Sequence, residues 1–183
     1  MKLPASFEGR DRARLFCALR LPEETLGTLS GWQAAHIRGG RAVIRDHLHV
    51  TLAFLGHRPV EELESILAAM RETAAVAGPI RFVPEHYRES RSVGMLVLSD
   101  LAGTATRLAE DLFERLERLG VYEPEQRRWL PHVTVLRFRE RPRLKPPLPD
   151  LGEFSPSDAA VYHSVLRSTG AQYVVVETFA LGG

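Results

Sequence analysis

The apolar positions change period repeatedly along the chain. Leu15, Cys17, Leu19 and Leu21 alternate with other residues, which predicts a strand over 14–21. Pro22 sits where a first helical residue belongs, and Leu26, Leu29 and Trp32 follow at helical spacing until Gly39-Gly40. Short extended segments are expected over 41–44 and 47–55. Pro59 opens a second helix striped by Val60, Leu63, Ile66, Leu67 and Met70, and Gly78-Pro79 stops it. Two strands are expected over 80–87 and 92–98, around the polar turn 88–91. A third helix carries Leu101, Ala105, Leu108, Leu112 and Leu116 on one face and ends at Gly120. Residues 129–138 read as a strand, followed by a proline-rich loop over 141–150. A closing hairpin is expected from 159–166 and 172–181, turning through Ser168-Thr-Gly170. Strands and helices do not alternate strictly. Hairpin-like neighbours predict largely antiparallel sheet with helices packed on it, an α+β fold. Residues 1–13 read as a loose polar lead-in.

Composition narrows the function classes. A formal charge of +1 over 183 residues excludes non-specific coating of nucleic acid as the main activity, though not a local basic site. The single cysteine, Cys17, excludes an intrachain disulfide framework. No apolar run approaches the ~18 residues of a membrane span. The opening MKLPASFEGRDR has no apolar signal core. A cytoplasmic protein with no membrane partner is expected.

One short pattern occurs twice: His49-Val-Thr-Leu52 and His132-Val-Thr-Val135. Each copy falls in an expected strand, where residues i and i+2 share a face about 6–7 Å apart. His49 and Thr51 therefore face one way while Val50 and Leu52 face the core; His132 and Thr134 repeat the arrangement. That spacing lets an imidazole and a hydroxyl touch different atoms of one phosphate. Two such strands across a pseudo-two-fold axis would converge two imidazoles and two hydroxyls on one cleft. Histidine suits paired acid–base work because both protonation states are accessible near neutrality. Threonine hydroxyls can donate to the non-bridging oxygens.

On these motifs and their flanks, the chain resembles the two-histidine (2H) phosphoesterases, in the branch of RNA 2′,3′-cyclic phosphodiesterases, also called 2′-5′ RNA ligase-like. The resemblance is carried by Arg14-Leu-Phe-Cys-Ala-Leu19, Leu48-His-Val-Thr-Leu-Ala-Phe-Leu-Gly56, Pro131-His-Val-Thr-Val-Leu-Arg137, Tyr162-His-Ser-Val-Leu166 and Tyr173-Val-Val-Val176. It implies one bilobal domain over 14–183: two pseudo-symmetric lobes of mostly antiparallel sheet, helices on the outer faces, a cleft between. It implies hydrolysis of 2′,3′-cyclic phosphate RNA ends to 2′-phosphate without metal or other cofactor, with reversible 2′-5′ ligation in some members. A monomer is expected. By resemblance His49 is the proton donor to the leaving 3′ oxygen and His132 the base for water. Thr51, Thr134 and Arg137 match phosphate-binding positions, and Phe54 an aromatic position where a base can stack. Two positions depart from the family pattern: Ala42 stands where Trp is frequent, and His47 where Asn is usual. The alternatives are a phosphodiesterase on 2′-5′ linked oligonucleotides or small cyclic nucleotides, and a non-catalytic module that binds RNA ends or nucleotides.

Other features have plainer readings beside a functional one. His47 and His49 form an H-x-H pair compatible with zinc, but no third ligand is evident and His47 reads as a rim histidine. His57 is expected to cap the strand or line the cleft mouth, and His36, His86 and His163 to lie at the surface or in the hairpin. Trp129 reads as a packing anchor. Segment 127–145 carries seven basic residues against one acid, Glu140, and brackets His132, which makes it a candidate RNA-backbone rim.

Overall fold

The computed structural model describes residues 5–168 and 170–182. Among the described residues, eight strands and three α-helices follow the order β1 (Arg12–Arg20), α1 (Glu23–His36), β2 (Arg41–Ala42), β3 (His49–Pro59), α2 (Leu63–Ala75), β4 (Phe82–Glu89), β5 (Val93–Asp100), α3 (Thr104–Arg118), β6 (His132–Arg137), β7 (Asp158–Arg167) and β8 (Gly170–Phe179). The strands form one sheet in the order β4-β5-β6-β3-β1-β7-β8, with β2 added against β6. Every pairing is antiparallel. The fold is α+β, as the mixture of periods predicts.

The sheet has two halves. One carries β2, β4, β5 and β6; the other carries β1, β3, β7 and β8. They meet where β3 and β6 pair through a single position, Val50 opposite Val133. The buried core takes in one face of the central strands and the inner faces of the helices, including Leu29, Leu67, Met70, Leu112 and Leu116. α2 and α3 pack on each other there, joined by a 2.6 Å hydrogen bond from Thr73 Oγ1 to Asp111. The opposite face of β1 and β7 carries a small separate cluster of Phe16, Ala18, Ala160 and Tyr162. That second apolar face is invisible to an alternation argument, because β1 is buried on both sides from Leu15 to Leu19.

Several expectations shift. A 3-10 turn over Val60–Glu62 takes up the expected start of α2. Leu101 precedes α3 and is exposed, so Thr104, not Leu101, begins the buried stripe. The lead-in is anchored where it is described: Phe7 is buried against the His163 ring at 4.6 Å. His163 lies in the hairpin, on β7, and is buried there, 2% exposed with Nδ1 3.0 Å from Ser6 Oγ. Thr169 of the closing turn and residues 1–4 lie outside the described residues.

The proline-rich return is tied down by one carboxylate. Glu89 accepts from the Leu144 and Arg143 amides at 2.7 and 2.9 Å, from Arg141 Nε at 3.1 Å and from the Tyr87 hydroxyl at 3.2 Å. Burial pushes this carboxyl up, but those donors outweigh it and its pKa is held below the usual value. The return then reaches α1, where Trp32 Nε1 donates to Pro147 O at 2.7 Å.

Candidate active site

The two H-x-T motifs lie side by side. With Val50 opposite Val133 in an antiparallel pair, His49 falls opposite Thr134 and Thr51 opposite His132, all on the face away from the helices. A local two-fold axis runs through the valine pair. The six-residue burial patterns of the two strands are identical: half-buried, buried, half-buried, buried, buried, exposed.

That pattern departs from strict alternation at the same place in both strands. Cys17 pairs with Ala53 and Ala18 with Thr51, so Leu52 is an unpaired bulge residue. Gly94 pairs with Leu136 and Met95 with Thr134, so Val135 is its counterpart. A bulge shifts the facing by one. It turns Phe54 and Arg137, each five residues after its histidine, onto the same face as the histidines and threonines. Phe54 is 63% exposed there despite its apolar ring. The Val135 bulge is held from behind: its carbonyl accepts from Val43 N at 3.0 Å and from Gln33 Nε2 at 2.8 Å, and Gln33 Nε2 also reaches Val43 O at 3.0 Å.

Each histidine is oriented by the carbonyl two residues before it. His49 Nδ1 lies 2.8 Å from His47 O, and His132 Nδ1 lies 2.8 Å from Leu130 O. A carbonyl only accepts, so Nδ1 carries the hydrogen in both rings and Nε2 faces outward. Thr51 Oγ1 then donates to His49 Nε2 at 3.0 Å. Trp129 Nε1 donates to Thr51 O at 3.0 Å, tying the approach to β6 onto β3. Burial lowers the His49 pKa to about 4, helped by the charges of His47, Arg137 and His132 and opposed by the His47 carbonyl. His47 is lowered as well, by burial first and then by Arg137 and Arg41 against Asp46.

A cavity of about 600 Å³ opens over this face. Its walls include His49, Thr51, Thr134, Phe54 and Arg137; His132, next but one to Thr134 on β6, is not among them. Sequence reasoning missed several wall residues. Arg14 and Phe16 come from β1, Arg41 from β2, and Ser164 and Tyr173 from the β7–β8 hairpin. Phe16 stacks on Tyr162 at 4.8 Å and meets the His49 ring at 5.1 Å. His47 stacks on Tyr173 at 4.2 Å, which is what the usual asparagine could not do. Among the described residues, Arg14, Arg41 and Arg137 have no carboxylate partner, although Arg41 and Arg137 are direct cross-strand neighbours. Like charges opposed on adjacent strands are unfavourable without a counter-anion. The β1 alternation, Arg14 and Phe16 outside the Leu15–Cys17–Leu19 face, was the signal that could have found two of these residues.

The basic segment behaves differently from its expectation as a rim. Of its seven cations only Arg137 lines the cavity, while Arg141 pairs with Glu89 and Arg127 with Glu125. His57 is exposed outside the cavity wall, its carbonyl accepting from Arg12 at 2.7 Å. Among the described residues, no third ligand joins His47 and His49 in a group able to hold a metal ion.

Two H-x-T strands meeting at a local two-fold, with a phosphate-sized set of donors over them, define a two-histidine phosphoesterase. The chain belongs to the 2′-5′ RNA ligase superfamily, whose pattern matches residues 22–171. It is 32% identical to an RNA 2′,3′-cyclic phosphodiesterase of Thermus thermophilus, over 93% of this chain and 91% of the relative. Among solved structures, it superposes on TT0787 of Thermus thermophilus with a TM-score of 0.78 at 31% identity, covering 92% of this chain and 97% of that one. Escherichia coli LigT in apo form gives a TM-score of 0.79 at 25% identity, covering 94% and 99%.

Proposed function

We propose that this protein hydrolyses 2′,3′-cyclic phosphate ends of RNA to 2′-phosphate, with residues 14–183 working as one bilobal domain. The observation that carries the reading is the pairing of the two motif strands at Val50 and Val133, which sets two imidazoles and two hydroxyls on one face. The similarity to curated RNA 2′,3′-cyclic phosphodiesterases supports the substrate class. His132 Nε2, free of hydrogen, accepts the proton of the attacking water. His49 Nε2 gives a proton to the leaving 3′ oxygen. Thr51, Thr134 and Arg137 donate to the non-bridging oxygens as charge grows there. Phe54 offers an aromatic face to the terminal base.

The His49 role has a condition. Its Nε2 accepts from Thr51 and its lowered pKa keeps it neutral at pH 7, so Nε2 holds no proton to give until an anion binds. An anionic phosphate favours the imidazolium, and Thr51 is then released to turn its hydroxyl toward the phosphate. Substrate binding thus loads the acid. With a 5′ hydroxyl in place of water the same groups would form a 2′-5′ bond, His132 taking the hydroxyl proton and His49 protonating the leaving 3′ oxygen; run in reverse, they would break that bond and re-form the cyclic end. All named groups come from one chain, which supports action as a monomer. The buried free thiol of Cys17 is in keeping with a cytoplasmic setting.

The test is incubation with adenosine 2′,3′-cyclic phosphate in the presence of EDTA, with the product read by phosphorus NMR. A 2′-phosphate is expected, and His49→Ala and His132→Ala are each expected to lower kcat by roughly 10²–10⁴-fold. A 3′-phosphate product, or undiminished turnover in either variant, overturns the reading.

A further inference from the structure

The cleft holds more positive charge than its reacting group needs. A 2′,3′-cyclic phosphate carries a single negative charge, yet three guanidiniums without carboxylate partners among the described residues line the cavity. They are not grouped around the histidines. Arg137 lies close enough to act on both His47 and His49, and Arg41, its cross-strand neighbour, acts on His47. Arg14 is not among the charges that act on either ring. It stands on the other side of the aromatic floor.

The register of β1 places it. Ala18 pairs with Thr51, and Phe16 pairs with Phe54. Arg14 follows two residues further on the same face and pairs with His57. At strand rise, Arg14 Cα lies about 13–14 Å along the sheet from the Thr51 level, and its long side chain covers part of that distance. Moving outward from the reacting phosphate, the cleft therefore presents hydroxyls and imidazoles, then an aromatic pair, then a guanidinium. In a nucleotide the cyclic phosphate, the base and the 5′ phosphate all branch from one ribose, so with the cyclic phosphate at the histidines and the base over the aromatic pair the 5′ phosphate is carried no further than one sugar away, within reach of the Arg14 guanidinium. Ser164 lines the same end of the cavity from β7 and can add a hydroxyl donor.

We propose that Arg14 forms a second phosphate subsite, which holds the phosphate on the 5′ side of the terminal nucleotide while the histidines act on its cyclic phosphate. The protein then selects a chain end, or a 5′-phosphorylated nucleotide, over a bare nucleoside 2′,3′-cyclic phosphate. This rests on the cleft being the phosphodiesterase site proposed above.

The experiment compares kcat/KM for 5′-phosphoadenosine 2′,3′-cyclic phosphate and for adenosine 2′,3′-cyclic phosphate. The wild type is expected to favour the first by about tenfold, the size of one charge-assisted contact. In Arg14→Gln that ratio falls to about one, Arg14→Lys retains part of it, and Arg88→Gln, on the outer strand β4, retains all of it. A ratio near one in the wild type, or an undiminished ratio in R14Q, overturns the subsite. Should neither compound be hydrolysed, the activity reading fails but the subsite is still decided by calorimetry. Adenosine 2′,5′-bisphosphate is expected to bind about tenfold tighter than adenosine 2′-monophosphate in the wild type and equally in R14Q. Equal affinities in the wild type overturn it.

Discussion

His49 shows how one side chain can be set up by its surroundings. Its Nδ1 is fixed on a carbonyl, its Nε2 receives a threonine hydroxyl, and its ring rests against Phe16 and Tyr173. An imidazolium in that place loses hydration and gains no counter-charge, so burial is the main reason its pKa falls to about 4. The consequence for stability has a definite sign. Between about pH 4 and the ordinary value near 6.5, the unfolded chain binds more protons at this position than the folded one. Stability therefore falls as pH drops through that window, and His49→Gln removes this part of the pH dependence. Urea unfolding of both proteins across the window checks it. Proton NMR of the His49 ring is expected to give a titration near 4 in the free protein and a clear rise on adding adenosine 2′-monophosphate. No rise would mean that the anion does not reach the imidazole.

At the scale of elements, the two bulges decide what the cleft contains. Alternation from His49 and Thr51 would put Ala53 on the cleft face and Phe54 in the core; Leu52 reverses this, and Val135 does the same for Arg137. Periodicity alone could locate the histidines and threonines, since they precede the irregularity, but not Phe54 or Arg137. Those two were legible only through the family resemblance. The helices, the hairpins and the motif strands were readable because each has a strong period of its own. Arg41 and Tyr173 were not, because they reach the cleft through curling of the sheet, which brings elements distant in sequence onto one cavity. Gln33 was hidden in a similar way: a polar residue on the apolar side of α1 looks like a flaw until the carbonyls of Val43 and Val135 stand beside it. Gln33→Leu leaves Val43 O without its donor and weakens the hold on the bulge. The expected cost is about 1–3 kcal/mol in urea unfolding. A fall in kcat/KM should accompany it, because Arg137 lies two residues beyond the bulge. Unchanged stability would show that backbone bonds alone hold the bulge.

At the scale of the whole molecule, charge is distributed so that a nearly neutral chain can still hold an anion. Many arginines are matched with carboxylates at the outer surface, as in Arg71 with Glu177, Arg81 with Glu153 and Arg58 with Glu62. The basic segment after residue 127 follows the same arrangement in part, through Glu125 and Glu89. The guanidiniums of the cavity wall have no such partners among the described residues, and under the proposed function they would meet phosphates. This distribution predicts a shallow salt dependence. For single strands the slope of log K against log salt is about −0.7 per phosphate neutralised, so two or three contacts give roughly −1.4 to −2.1. Fluorescence anisotropy of a labelled oligonucleotide ending in 2′-phosphate, titrated across a potassium chloride series, measures it. Arg128→Gln and Lys145→Gln should leave the slope where it is, whereas Arg41→Gln should make it less steep by the share of one phosphate. A slope steeper than about −4 would require more than five neutralised phosphates. The cavity has three such cations to offer, so the basic segment would then have to be the binding surface, and the cleft would be a catalytic pocket at one end of it.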